Sequence, residues 1–408
     1  MGSFLSYCCC CCRDPADEYY RSGSQSFQQY LSNNMLADLH EAIRNFQTCL
    51  DLHLETREIL TIQGKAEPRE FSQKMAETYR ALCMAVLSRY YVLRRKEDLD
   101  HIKNLDLSLF REWAHQYPNG YAAVLINCGT AYSWAYMSAT QVAFQQLHAS
   151  DRQLQQDDQD LWPMVCDRFK RVLQLQDGVG GMTTVLRCKA SMELAATELQ
   201  HYQYCRTIGK PNATALNDSI SHFRLAVQFF SRLAEDDPYR RENYAKCLKD
   251  LATAHYKRYL EGIPQDPGDL DQSIVHFKDV LHQFETMQPQ PQDNDMLKRL
   301  CIECLHSLAT AFYKRYTLVK DQHWPQLRYL TVPNAALPQA CLLDLEEARK
   351  MEDKAKGLLG SFDPGERTML GLNELYADVN ELMGVLIEHQ AAVTPLSSRP
   401  GSAGSNPF

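Results

Sequence analysis

From about residue 31 onward, apolar residues recur three and four positions apart. Leu39, Ile43, Phe46 and Leu50 form one such stripe. Leu216, Ile220, Phe223 and Val227 form a second, and Leu270, Ile274, Phe277 and Leu281 a third. This is the spacing of one buried face of an amphipathic α-helix. Asp or Asn at or near the start of each stripe suits a helix N-cap. No alternating run of useful length predicts a strand. Gly- and Pro-containing clusters at 64–68, 118–120, 178–181, 209–212, 235–238, 262–268, 289–293, 333–338 and 360–365 interrupt the pattern. They divide the chain into helices of roughly 18–30 residues, about 27–45 Å long. Residues 13–30 are polar with Gly and Ser, so 1–30 is expected to be a tether. Residues 391–408 have the composition of a disordered tail. The prediction is an all-α body over 31–390 between the two.

The body contains an internal echo. Leu251-Ala252-Thr253-Ala254-His255-Tyr256-Lys257-Arg258-Tyr259 is matched by Leu308-Ala309-Thr310-Ala311-Phe312-Tyr313-Lys314-Arg315-Tyr316. Small residues on one face with aromatics a turn later suit closely stacked helix pairs. The echo is too widely spaced for a regular 34-residue tetratricopeptide array. The stretch from Asp269 to Lys278 resembles the second helix of a tetratricopeptide unit. One or two such units are therefore expected within a less regular helical domain, and an irregular tetratricopeptide α-solenoid is one reading of the whole.

Composition narrows the function classes. The 408 residues are 45% hydrophobic, enough for a substantial core, and carry a net charge of −8. A chain with no basic stripe is poorly suited to nucleic acid. No run of about 18 apolar residues predicts a membrane span. Ten cysteines (Cys49, Cys83, Cys128, Cys166, Cys188, Cys205, Cys247, Cys301, Cys304 and Cys341) are scattered through apolar helical stretches. In a reducing compartment they read as small core residues.

The other five cysteines sit at the N-terminus. Gly2 follows the initiator Met, and Ser6 completes the M-G-x-x-x-[ST] acceptor pattern for N-myristoylation. Cys8, Cys9, Cys10, Cys11 and Cys12 follow at once. A single myristoyl chain holds a protein only marginally, with K on the order of 10⁴ M⁻¹, so stable attachment needs a second signal. S-palmitoylation of these cysteines would supply it. A structural cluster or a metal site is the competing reading, but five consecutive cysteines cannot converge on one ion and no partner His follows nearby. Only Arg13 and Arg21 lie close by, offset by Asp14, Asp17 and Glu18, so attachment is expected to rest on acyl chains more than on charge. The expected location is the cytoplasmic face of the plasma membrane or of endosomes. The sequons at Asn212 and Asn217 would then go unused.

Enzyme motifs are missing from the sequence. There is no G-x-x-x-x-G-K-[ST], H-E-x-x-H or G-x-S-x-G. Cys301-x-x-Cys304 with His306 invites a metal or redox reading. It has no second Cys pair, and Leu300, Cys304 and Leu308 share a helix face, which favours core packing. No catalytic residues, metal ligands or cofactors are predicted.

Ala122-Ala123-Val124-Leu125-Ile126-Asn127-Cys128-Gly129-Thr130-Ala131-Tyr132-Ser133 resembles the "A-x-V-L-F-N-x-x-A-L-Y-S" helix of the Bro-domain family, whose members are boomerang-shaped helical domains. Val86-Leu87-Ser88-Arg89-Tyr90-Tyr91 is similar to that family's "L-L-R-Y-Y" helix. Arg328-Tyr329-Leu330-Thr331-Val332-Pro333, with Leu337-Pro338, is similar to its closing segment. The order holds over about 30–360. There are departures. Ile126 replaces the family's Phe, and only Met192-Glu193-Leu194-Ala195-Ala196-Thr197-Glu198 stands for its A-Q-A-Q-E segment. The stretch between Tyr91 and Tyr121 looks short for the family's small sheet. The resemblance implies an elongated helical Bro-like domain with a tetratricopeptide-like core. It also implies a hydrophobic groove for the amphipathic C-terminal helix of an ESCRT-III subunit, a helix-in-groove mode. By position that groove would use Leu216 and Ile220 with Tyr202 or Tyr204. The alternative for Leu216 and Ile220 is ordinary core.

The chain ends in Asn406-Pro407-Phe408, the form of an EH-domain ligand. Two function classes stay open. One is a membrane-anchored Bro-type adaptor for an ESCRT-III-type helical peptide, with an EH-domain protein as a further partner. The other is a lipidated tetratricopeptide-type scaffold with an unrelated protein ligand.

Overall fold

The computed structural model describes residues 14–93, 95, 97–98, 100–101, 118–146, 161–175, 184–262, 266–286, 295–327, 339–369 and 372–393. The described residues are α-helical with no strand among them, as the periodicity predicts. No helix among them is long and apolar enough to cross a membrane. Gly2, Cys8–Cys12, the Arg328–Pro338 segment and Asn406–Phe408 lie outside the described residues, as do residues 102–117, where the family's sheet would fall.

The chain divides into two units, one ending at Arg232 and one beginning at Leu233. The first contains α1 (Pro15–Asn33), α2 (Leu36–Ile62), α3 (Arg69–Leu93), α4 (Pro118–Gln146), α5 (Leu161–Gln174), α6 (Thr184–Thr207) and α7 (Ala213–Phe230). Each helix packs on the next, and α4 also reaches α6. The second unit contains α8 (Pro238–Glu261), α9 (Pro267–Thr286), α10 (Asp295–Leu327), α11 (Gln339–Gly360), the short α12 (Pro364–Met369) and α13 (Asn373–Val393). In it α8, α9, α10 and α11 also pack in chain order, and α13 closes on α11. Packing dominated by neighbours in sequence is the solenoid-like arrangement.

The predicted stripes are the core of their helices. Leu39, Ile43, Phe46 and Leu50 are buried in α2, Leu216, Ile220 and Phe223 in α7, and Leu270, Ile274 and Phe277 in α9. Local chemistry sets the helix starts. Asp14, Asn212 and Asp237 each accept a hydrogen bond from a backbone N–H of the first turn, at 3.0 Å from Ala16, 3.2 Å from Ala215 and 2.9 Å from Tyr239. These bonds satisfy donors that the helix itself cannot. Pro15 and Pro238 stand just inside the start, where the missing N–H costs nothing. Pro118 likewise opens α4, so the Pro118–Gly120 break is the first turn of a helix.

The N-terminal boundary needs correction. Residues 15–33 are not a tether but a 19-residue helix packed on α2, with Ala16, Gly23, Ser26 and Tyr30 buried. Gly23, part of the composition that suggested a linker, is a close-approach site. A Cβ there would stand 2.9 Å from Cδ1 and Cε1 of Phe46. At the other end α13 runs to Val393, slightly past the expected limit of 390.

Candidate functional site

One end of the first unit is built around the start of α1. Asn45 Nδ2 of α2 donates to Ser22 Oγ at 3.2 Å, and the Tyr20 and Phe46 rings lie 5.8 Å apart. Lys74 of α3 donates to Asp17 at 2.8 Å, which raises its pKa. His53 of α2 packs edge-on to Phe71 of α3, and burial lowers its pKa against the pull of Asp14 and Asp17. The first turn of α1 is thus held by both α2 and α3. The five N-terminal cysteines end two residues before its cap, Asp14.

The four residues assigned to a peptide groove are all buried inside the protein. Tyr202, Tyr204, Leu216 and Ile220 are 1%, 4%, 2% and 1% exposed, within the core that α6 and α7 share with the helices before them. Ser219 Oγ donates to the Ala195 carbonyl at 2.8 Å and ties the two helices together. The physical reason is that α6 is covered on nearly every side. Cys188, Ala190, Ser191, Met192, Leu194 and Ala195 are all buried, as are Thr197, Glu198, Leu199, Tyr202 and Tyr204 in its C-terminal half. Leu216 and Ile220 are the apolar face that α7 turns toward it. The open groove expected at these residues is therefore replaced by a closed helix pair.

Two polar clusters line this hairpin that sequence reading missed. Glu198, 1% exposed, accepts or shares a proton with His222 Nδ1 at 2.7 Å, and Lys170 stands 4.0 Å away. Burial raises its pKa, while His222 and Lys170 pull it back. His201 stacks on Trp162 with ring centroids 3.7 Å apart. Its Nδ1 lies 2.7 Å from Tyr136 Oη and its Nε2 3.4 Å from Cys205 Sγ. A thiol beside an imidazole resembles a nucleophile with its base, but the electrostatics run the other way. Burial pushes His201 down to about 4 and raises Cys205. A reactive Cys needs a lowered pKa and a cationic neighbour, whereas this pair is neutral at pH 7.

In the second unit the sequence echo has a structural counterpart. Arg258 grips Asp269 through Nε at 2.8 Å and Nη2 at 2.5 Å. Arg315, its counterpart, grips Asp344 through the same atoms at 2.8 and 2.6 Å and adds Asp271 at 2.7 Å. His255 Nδ1 lies 2.9 Å from Asp269. Each arginine, late in its helix, clamps the start of a following one with a two-pronged bond of fixed geometry. The shared Tyr-Lys-Arg-Tyr was the signal for these residues, although their aspartates do not recur at matching distances. Lys249 to Glu303 at 2.7 Å and His306 to Glu352 at 2.9 Å add links between helices.

Nor does the Cys301-x-x-Cys304 segment gather ligands. His306 is turned to Glu352, and burial pushes Cys301 up to about 11 and Cys304 higher still. Among the described residues no group of three or more His, Cys, Asp or Glu is placed to hold a metal ion.

No known family model matches the chain, and no curated protein matches its sequence. Among solved structures it is similar to two of the S. pombe nuclear import adaptor Nro1. One is 12% identical over 91% of this chain and 93% of that one, and the other 11% identical over 95% and 99%, each with a TM-score of 0.45. A de novo designed helical repeat protein is 10% identical over 85% of this chain and 100% of its own, with a TM-score of 0.19.

Proposed function

We propose that this protein is a non-enzymatic adaptor held on the cytoplasmic face of the plasma membrane or of endosomes by acyl chains on Gly2 and on Cys8–Cys12. The observation that carries this reading is the junction at Asp14. The helix that follows the cysteine run is packed into the first unit, so chains attached to that run would act on the folded body directly. The neutral, part-buried Cys205–His201 pair supports a binding role over catalysis.

The bound partner is a helical peptide of the ESCRT-III C-terminal type, as the Bro-domain resemblance implies, and Asn406-Pro407-Phe408 adds an EH-domain contact. The burial of Tyr202, Tyr204, Leu216 and Ile220 moves the peptide contact away from those residues. The paired Arg258–Asp269 and Arg315–Asp344 clamps favour a second form of the reading, a lipidated helical-repeat scaffold with a different protein ligand.

Fractionation of cells tests the anchor. Gly2→Ala should release the full chain into the cytosol, and Cys8–Cys12 changed to Ser should leave weak, reversible attachment. Unchanged partition in both variants refutes the anchor. Titrating an ESCRT-III C-terminal helix against the full chain, with hydrogen exchange to map the contact, separates the two forms. Absence of binding removes the Bro-type partner and leaves the repeat scaffold. Phe408→Ala should abolish capture by an isolated EH domain, and undiminished capture would remove that contact.

A further inference from the structure

The end of α2 projects beyond its neighbours on the anchor side of the first unit. The start of α1 lies beside α2 near Cys49 and His53, whose pKa values both feel Asp14 and Asp17. The two helices run antiparallel, since Ser22 meets Asn45 while Asp14 and Asp17 lie toward His53. The flanking contacts of α3 follow the same order, with Thr78 beside Cys49, Phe71 beside His53 and Glu67 beside Arg57. Past His53, α2 continues to Ile62, about 13 Å further at 1.5 Å per residue.

The projecting tip is apolar and well formed. Ile59 is 53% exposed and Ile62 78%, three residues apart on one side of the helix. The end is closed by Gly64 at φ +63°, with the Gly64 N–H donating to the Thr61 carbonyl and the Lys65 N–H to the Leu60 carbonyl, both at 3.0 Å. This is a Schellman closure, in which the residue after the glycine commonly packs back on the helix. Here that residue is Lys65, which is exposed, so among the described residues no apolar side chain after the glycine folds back over Ile62. The charges around the tip are mixed. Arg57 pairs with Glu67 at 3.1 Å, while Glu55, Glu58, Lys65 and Glu70 are exposed. Tyr19, 39% exposed, stands in the second turn of α1 at the same end.

The chain outside the structure identifies what covers this tip. Cys12 is two residues from Asp14, a span of at most about 7 Å. An acyl chain on that cysteine therefore brings the end of the unit carrying Ile59 and Ile62 to the lipid. We propose that the α2 tip docks in the headgroup–acyl boundary of the bilayer, with Ile59 and Ile62 as its apolar contacts. The proposal rests on the acyl-anchor reading above and adds a second, protein-borne contact to it. The contact is apolar in character, because the surrounding charges sum to no basic patch.

The test uses the full chain made in bacteria without an N-myristoyltransferase, so that Gly2 is unacylated, with Cys8–Cys11 changed to Ser and a single acyl chain coupled to the Cys12 thiol. With one chain holding only marginally, the tip's share of vesicle binding is measurable by co-sedimentation with phosphatidylcholine vesicles. Ile59→Ser with Ile62→Ser should lower partitioning by at least about tenfold, given the apolar area those side chains would bury. Ile387→Ser, at a residue equally exposed on α13, should leave it unchanged, and so should Ile59→Leu with Ile62→Leu. Phosphatidylserine should change partitioning little. Ile62→Trp should be quenched by brominated lipid beyond the signal of the native tryptophans. A chain acylated on Cys12 whose partitioning ignores the Ser substitutions, or whose Ile62→Trp indole stays unquenched, overturns the tip and leaves the anchor standing. A chain purified from its own cells that carries no acyl mass on Gly2 or on Cys8–Cys12, or a Cys12-acylated chain that binds no better than the unacylated one, overturns the anchor and the tip together.

Discussion

The reassignment of residues 15–33 from tether to packed helix is tested most directly by Gly23→Ala. In a solvated linker or an open helix position, Ala for Gly is neutral or favourable, and in a helix it gains roughly 0.5–1 kcal/mol. At Gly23 the new methyl would meet the Phe46 ring at 2.9 Å, closer than real Cβ contacts come, and Phe46 is itself buried, 1% exposed. Forcing an extra carbon into a packed core costs about 1–3 kcal/mol. The helix gain offsets part of that, leaving a net loss of about 1 kcal/mol. For a unit of this size that loss lowers Tm by roughly 2–4 °C. Gly357→Ala and Gly384→Ala are matched controls. Both are helical and exposed, with nothing within 4 Å of the added Cβ, so both should be neutral or stabilising. The assay is thermal unfolding of the three variants beside the wild type, with hydrogen exchange of the α1 amides to locate the change. A Gly23→Ala protein at least as stable as the wild type, with unaltered α1 protection, would refute the docking of α1.

Three further predictions concern the buried polar groups and thiols. Burial opposes ionisation of Asp269, but Arg258 and His255 outweigh it and hold the carboxyl below its ordinary value of 3.8; its contribution to stability is complete above that value and is lost as pH falls through the lowered folded value. Asp269→Asn should therefore destabilise by about 2 kcal/mol at neutral pH, less than a fully buried pair because Arg258 is a third exposed, and should flatten the loss below pH 4 in urea titrations, so an unchanged acid limb would count against the clamp. His201 is held down at about 4 against an ordinary 6.5, so the unfolded chain binds the extra proton first and stability should fall as pH drops from 6.5 toward 4; His201→Phe, which keeps a ring on Trp162, should remove that slope, and a retained slope would place its origin elsewhere. Among the ten described cysteines only Cys205 and Cys301 are part-exposed, so in the native state these two should label first with a thiol reagent read by peptide mass, whereas early labelling of Cys83 or Cys128, buried with their sulfurs 3.7 Å apart, would contradict the packing of α3 on α4.

The parts of the fold that were legible are those in which a large apolar side chain marks the buried face. Leu39, Ile43, Phe46 and Leu50 repeat at helical spacing because that spacing is itself the record of burial. α1 was illegible for the complementary reason. Its buried face is Ala16, Gly23, Ser26 and Tyr30, three small residues and one aromatic. Small residues permit close approach to α2, yet in composition they cannot be told from a flexible linker. The groove failed differently. Periodicity put Leu216 and Ile220 on one face but carries no information on what covers that face, and the cover is α6, buried nearly all round. The echo around Arg258 and Arg315 foretold related helices. It did not foretell their partners, because Asp269 follows its arginine by 11 residues and Asp344 by 29.

The docking of α1 changes what an acyl anchor accomplishes. A flexible tether spanning 13–30 would let the body wander an r.m.s. distance of about 20–25 Å from its attachment, at roughly 5–6 Å times the square root of the residue number. With α1 packed, the free span from Cys12 to the cap at Asp14 is at most about 7 Å. The conformational entropy of those residues is then spent on folding and not on membrane binding. A short span also holds any second contact at high effective concentration. On the proposed anchoring, an apolar tip too weak to bind lipid alone would add to a chain that, alone, binds only marginally. The same tip on a long tether would add much less, because its encounter with the bilayer would have to be won from a larger volume. Under the proposed anchoring, the closeness of Cys12 to Asp14, and not the number of cysteines, would join an acyl chain to the exposed Ile59 and Ile62.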